Sequence, residues 1–241
     1  MTVTRKKIEK NLARINEKIE AACQKFHRSR YDVKILAVTK SVDVDTIKNL
    51  IDAGLTEFGE NRAQQLKQRV AELNEYLKRR RNPLPAPVKW HMIGHLQRNK
   101  VKMVADNSQL VHSVDSLRLA EELSERAVKD QKTIEILLQV NCSQEKQKYG
   151  CAVGASTHLA EMITTLPGLK LRGLMTMGPM TAEPVATRNS FIRLRELFDE
   201  MKSDKIGGAD FTELSMGMSG DYEIATEEGA TILRIGSALF E

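Results

Sequence analysis

What most constrains this chain is an alternation that starts at Lys34 and runs to its last residues: a strand-forming run, a turn, then apolar residues at helical spacing. The strand-like runs fall at residues 34–39, 56–58, 88–93, 110–113, 133–140, 169–175, 211–214 and 231–235, and a helical pattern follows each of the first seven. Such alternation predicts parallel strands with helices packed outside them, and this many repeats predict closure into a barrel rather than an open sheet. The run after the last strand is too short for a full helix. A leading stripe at residues 4–26, with Ile8, Leu12, Ile15, Ile19 and Ala22 on one helical face, is available to cover that gap. The expected fold is therefore α/β, a single (β/α)8 TIM barrel with an extra N-terminal helix.

The length of 241 residues suits one such barrel, and no long Gly, Ser or Pro tract divides it, so residues 1–241 read as a single domain. No apolar run reaches the length of a membrane span, and the amino terminus MTVTRKKIEK is too polar for a secretory signal, which predicts a cytoplasmic protein with no membrane partner. Cys23, Cys142 and Cys151 are odd in number and far apart, so they form neither a disulfide framework nor a metal-ligand pattern, and the scattered histidines add no metal signal. Net charge is +5, but acidic and basic residues are interspersed. The one dense basic run, KRRR from Lys78 to Arg81, sits at a helix end before the Pro-rich NPLPAP, where cations complement the helix dipole. No aromatic platform accompanies it, so no nucleic-acid partner is expected.

In a parallel barrel all carboxyl strand ends face one rim, so residues distant in sequence become neighbours there. Lys40 ends the first strand, either as a site residue or as a solvated flank. Asn61 follows the second strand, and His91 and the turn at Gly94 lie around the end of the third. After the seventh comes SMGMSG, and Arg234, Gly236 and Ser237 close the eighth. SMGMSG and RIGS combine glycines and hydroxyls before helix starts, where free backbone N–H groups favour an anion. They fit either a phosphate cradle or plain helix caps. A phosphate cradle opposite a lysine amine points to pyridoxal 5'-phosphate. A lysine must be neutral to attack the aldehyde, and partial burial beside a cation lowers its pKa toward that state. Arg234 is placed to supply that charge and to face the pyridine nitrogen, or else to pair with a carboxylate. An arginine there leaves the ring a weak electron sink.

The blocks AVTK with Lys40, FGENR from Phe58, WHMIGHLQRNK from Trp90, HSVD from His112, RGLM from Arg172, LSMGMS from Leu214 and RIGSALF from Arg234 resemble the YggS/PROSC family of pyridoxal phosphate homeostasis proteins. The resemblance covers nearly the whole chain in the family's order. It implies a barrel similar to that of alanine racemase, usually monomeric, with Lys40 forming the internal aldimine of pyridoxal phosphate. It also implies that Ser219, Gly236 and Ser237 hold the phosphate, that Arg234 faces the ring nitrogen, and that Asn61 and His91 lie near the cofactor. The chain departs from the family just after the lysine, where SVDVD replaces a Lys-Pro-containing turn.

Two functions from different classes follow. One is a carrier that holds pyridoxal phosphate, buffers it and passes it to apo-enzymes. The alternative is a pyridoxal-phosphate-dependent amino-acid racemase, which needs two proton carriers on opposite faces of the substrate carbon. Lys40 is one candidate, but none of Tyr31, Tyr76, Tyr149 and Tyr222 is placed by sequence as the other, Tyr149 on the loop after the fifth strand staying open, so the carrier is the favoured reading. KYG at Lys148 reads as a solvated loop or a gate. His112 reads as a satisfied packing histidine, and the methionines at 175, 177, 180, 216 and 218 as core or rim residues.

Overall fold

The computed structural model describes residues 2–80, 84, 86–145, 147–180 and 183–241. Its strands are β1 (Lys34–Val38), β2 (Glu57–Glu60), β3 (Lys89–Met92), β4 (Leu110–Val114), β5 (Ile134–Gln139), β6 (Leu169–Met175), β7 (Glu213–Ser215) and β8 (Ile232–Ile235). They pair in sequence order, all parallel, and β8 returns to β1 with Ile35 opposite Leu233 and Leu36 opposite Arg234, closing the barrel. The helices are α1 (Arg5–Lys25), α2 (Val44–Asp52), α3 (Ala63–Lys78), α4 (Val101–Ala105), α5 (Leu117–Lys129), α6 (Val153–Thr164), α7 (Pro184–Ser203), α8 (Tyr222–Glu227) and α9 (Ser237–Phe240). The expected eight-stranded α/β barrel is what the chain forms. Among the described residues no helix is long and apolar enough to cross a membrane.

Two apolar layers hold the barrel together. Side chains pointing outward from the strands, such as Ala37, Phe58, Trp90 and Ile136, pack against the inward stripes of the helices. Side chains pointing inward, Leu36, Leu110, Leu137, Met175 and Ile232, form a smaller layer inside. This is the pleat's two-residue period turned into an outer and an inner core. Burying each of these large aliphatic side chains contributes about 1.5–3 kcal/mol.

The leading helix does cover the place of a full eighth helix. Ile8, Ile15 and Ile19 are fully buried, α1 packs on α2, α8 and α9, and Asn11 Nδ2 donates to Leu239 O at 3.0 Å. Thr4 caps α1 by accepting from Lys7 N, and Asp43 caps α2 by accepting from Thr46 N at 2.8 Å. The structure differs from expectation in two places. β2 runs on to Glu60, past the expected run at 56–58. The helical pattern expected after the third strand is divided into a 3-10 turn at Arg98–Lys100 and the short α4. In the KRRR run Lys78 and Arg80 bond to Glu75 and Asp52, so part of its charge is neutralised locally. Arg81 and, from NPLPAP, Asn82, Pro83 and Pro85 lie outside the described residues.

Candidate functional site

At the carboxyl rim the strand ends enclose a cavity of about 490 Å³. Lys40 reaches it from the turn after β1, Asn61 from the end of β2, Ser219 from the loop after β7, and Arg234, Gly236 and Ser237 from β8 and the turn beyond. The closed barrel accounts for this meeting, since parallel pairing puts all these ends on one side. Lys40 is exposed, against the expectation of partial burial, and its carbonyl accepts from Gln65 Nε2 at 3.1 Å. Its backbone is held from below: Thr39 Oγ1 donates to the buried Glu60 at 2.5 Å, and Arg69 Nε lies 3.1 Å from the same Glu60 oxygen. Burial pushes the Glu60 carboxyl above its ordinary value, while Thr39 and Arg69 pull it down.

The loop after β7 and the turn after β8 are tied together by one hydroxyl. Ser219 Oγ accepts from Gly236 N at 3.1 Å and from Ala238 N at 3.2 Å, which places a hydroxyl and two backbone donors together at the mouth. Gly217, φ +92°, lets the loop turn, and a Cβ there would stand 2.5 Å from the Ala225 Cβ. Across the cavity, a Cβ on Gly94 would lie 2.3 Å from the Asn61 carbonyl oxygen, so the β3 loop packs directly on the Asn61 backbone.

Arg234 is buried under the cavity, where Nη1 donates to Ser215 Oγ at 2.7 Å and Nη2 donates to Thr176 O at 2.8 Å. Burial lowers its pKa to about 10, with Asp221 acting in the opposite direction, so it stays charged at neutral pH. It is not the carboxylate-bonded strand-end arginine of the alternative reading, because its two bonds go to a hydroxyl and a carbonyl.

His91 is not part of this set. It lines a separate cleft of about 200 Å³ at the amino-terminal face, with Lys34, Glu57 and Lys89. The pleat accounts for the difference. The inward-pointing residues of this segment are His91 and Ile93, and it is Ile93 that reaches the cavity, two residues or about 6.6 Å further along the strand.

The family model described as alanine racemase, N-terminal domain, matches residues 8–241. A pyridoxal phosphate homeostasis protein of Pseudomonas aeruginosa is 41% identical over 233 residues, covering 97% of this chain and 94% of that protein. The chain belongs to the pyridoxal phosphate homeostasis protein family. Among solved structures, an unknown protein from Bifidobacterium adolescentis superposes with a TM-score of 0.91 at 37% identity, covering 98% of this chain and 95% of that one. PipY of Synechococcus elongatus PCC7942, solved with PLP bound, gives 0.81 at 29% identity, covering 97% and 100%.

In this family member sequence reasoning missed the lining residues Val38 and Ile93, while Met177 and Met218, read as core or rim residues, also face the cavity. Of the five methionines noted in the sequence, Met175 and Met216 are buried and Met180 is exposed, so only strand position separates rim from core. The loop after β5 comes to the rim as well: Tyr149 stacks on His95 with centroids 4.0 Å apart, and Lys148 Nζ donates to Gly178 O at 2.5 Å. Lys148 is thus bonded rather than solvated. His112 is fully buried and hydrogen-bonded on both ring nitrogens.

Proposed function

We propose that this chain is a carrier of pyridoxal 5'-phosphate. In this reading the cofactor sits in the rim cavity, is held by a covalent bond to Lys40, and serves cytoplasmic pyridoxal phosphate homeostasis, including hand-over to apo-enzymes. The observation that carries it is the convergence of an amine, a buried guanidinium and a hydroxyl-and-amide cluster on one cavity. These donors fit the group. A phosphate suits this corner: Ser219 Oγ, which accepts from Gly236 N and Ala238 N, keeps its own proton to donate to an anion, and Ser237 beside Gly236 adds a hydroxyl and a backbone N–H. Arg234 offers the ring nitrogen a donor that does not give up its proton. Asn61 lines the same wall. The cofactor, when bound, supplies an aldehyde that condenses with an amine and loses water.

The chain's own residues favour holding over catalysis. Lys40 is exposed, so an amine from another protein has access to the attachment point, whereas an enzyme excludes water from its reacting atoms. Glu60, Thr39, Arg69 and Gln65 fix the backbone around Lys40 and leave its side chain free.

The test is a visible absorption spectrum after incubation with pyridoxal phosphate and desalting. A retained band that exchanges onto an added apo-enzyme supports the carrier reading. A protein that keeps no chromophore contradicts it, and one that rapidly racemises an amino acid favours the enzyme.

A further inference from the structure

A line of buried polar side chains joins the two faces of the barrel through its interior. Arg234 Nη1 donates to Ser215 Oγ at 2.7 Å, Ser215 Oγ lies 2.9 Å from His112 Nδ1, and His112 Nε2 lies 2.9 Å from His91 Nδ1. His91 Nε2 then faces Glu57 Oε2 at 3.8 Å, in the cleft at the amino-terminal face. Ser215 and His112 are sealed from solvent, and His91 and Arg234 are each 4% exposed.

Both ends of the line fix its direction. A guanidinium only donates, so Ser215 Oγ accepts there and its own proton needs an acceptor. The lone pair on His112 Nδ1 supplies one. A neutral His112 then carries its proton on Nε2 and donates to His91 Nδ1, and His91 carries its proton on Nε2, aimed at the Glu57 carboxylate. The opposite order leaves the buried Ser215 hydroxyl proton without an acceptor among the described residues and points a His91 lone pair at a carboxylate.

The line also requires both rings to be neutral, because an imidazolium donates from both nitrogens and so opposes its neighbour. The surroundings agree. Lys89 and Lys34 act on His91 against a positive charge, as His91 and Arg234 do on His112, while Glu57, Glu135 and Glu213 are the carboxylates that line the same cleft. Burial holds His91 down at about 3 and His112 well below its ordinary value.

We propose that Ser215, His112 and His91 are positioning residues for Arg234, forming one hydrogen-bond line of fixed polarity whose last N–H, on His91, faces Glu57, and which keeps the guanidinium's remaining N–H groups toward the cofactor ring. The role rests on the reading that pyridoxal phosphate occupies the rim cavity. The polarity of the line belongs to the protein without ligand.

The experiment is NMR of the full chain with 15N-labelled histidine, first alone and then with pyridoxal phosphate 15N-labelled at its ring nitrogen. Both buried imidazoles are expected neutral with the proton on Nε2, from pH 7 down to about pH 5, where an ordinary histidine is mostly protonated. Ser215→Ala is expected to free His112 from that tautomer and to move the bound ring-nitrogen resonance, and Ser215→Thr, which keeps a hydroxyl, to restore both. A proton on Nδ1 of either ring, titration near the ordinary histidine value, or a ring-nitrogen resonance unmoved by Ser215→Ala would overturn the proposal. Wrong tautomers in a protein that retains the cofactor sink this role alone. Expected tautomers in a protein that retains none sink the cofactor reading and this role with it.

Discussion

The two ends of the barrel carry similar charged residues and use them differently. At the amino-terminal end cations meet carboxylates: Lys34 bonds Glu213 at 2.6 Å, Lys170 and Arg172 bond Asp210 at 2.9 and 3.0 Å, and Lys89 lies 3.8 Å from Glu57. At the carboxyl rim Lys40 has no ion pair among the described residues, and Arg234 bonds a hydroxyl and a carbonyl instead of an acid. Neutralised charge at one end closes the barrel floor. Positive charge left over beside a cavity is what an anionic ligand needs. The two ends share strands and a core, so charge pairing, more than fold, separates floor from site.

The contrast can be broken most strongly at the floor. Glu213→Ala removes the buried acceptor of both Lys34 Nζ and Thr231 Oγ1. It is expected to lower the stability by about 1–2 kcal/mol, because Lys34 stays half-exposed and regains water. Cofactor retention is expected to be unchanged. Chemical denaturation beside a retention assay checks this, and lost retention in a folded variant would dissolve the distinction between the ends.

Ser219→Ala makes the converse change at the rim. Deleting the hydroxyl that joins Gly236 N and Ala238 N is expected to weaken retention by several-fold, corresponding to about 1 kcal/mol, with little effect on the denaturation midpoint. Equilibrium dialysis against pyridoxal phosphate measures it.

The smallest effect is on the loop that carries Lys40. Asp43 accepts from Thr46 N, Thr46 Oγ1 and Thr2 Oγ1, and these bonds pull its carboxyl down to about 2. Its folded value lies below the unfolded one, so its contribution is present at neutral pH and lost as pH falls from about 4 toward 2. Asp43→Ala is expected to lower stability by about 1 kcal/mol or less at neutral pH, since the side chain is largely exposed, and by less still in acid. Thermal melts at the two pH values check the sign.

Much of this was legible in the sequence because periodicity and rim position are local signals. The strand runs before Lys40 and around Arg234 placed both at the rim, and the glycines and serines of SMGMSG and RIGS marked candidate backbone donors. What escaped was depth inside the barrel. His91 and Ile93 share a face of β3, yet one closes the floor and the other the rim cavity, and only strand length and tilt decide which. His112 read correctly as a satisfied packing histidine, but its partner Ser215 is 103 residues away, a pairing that only the closed barrel supplies. The exposure of Lys40 escaped for a related reason, since burial of a strand-end side chain depends on which loops fold over it.

The most direct test of the central claim is borohydride reduction of the protein incubated with pyridoxal phosphate, followed by peptide mapping, in the wild type and in Lys40→Ala. The account predicts the label on the Lys40 peptide of the wild type and none at that level anywhere in the variant. Equal labelling of the variant, or label spread over the exposed lysines of the wild type, would contradict it.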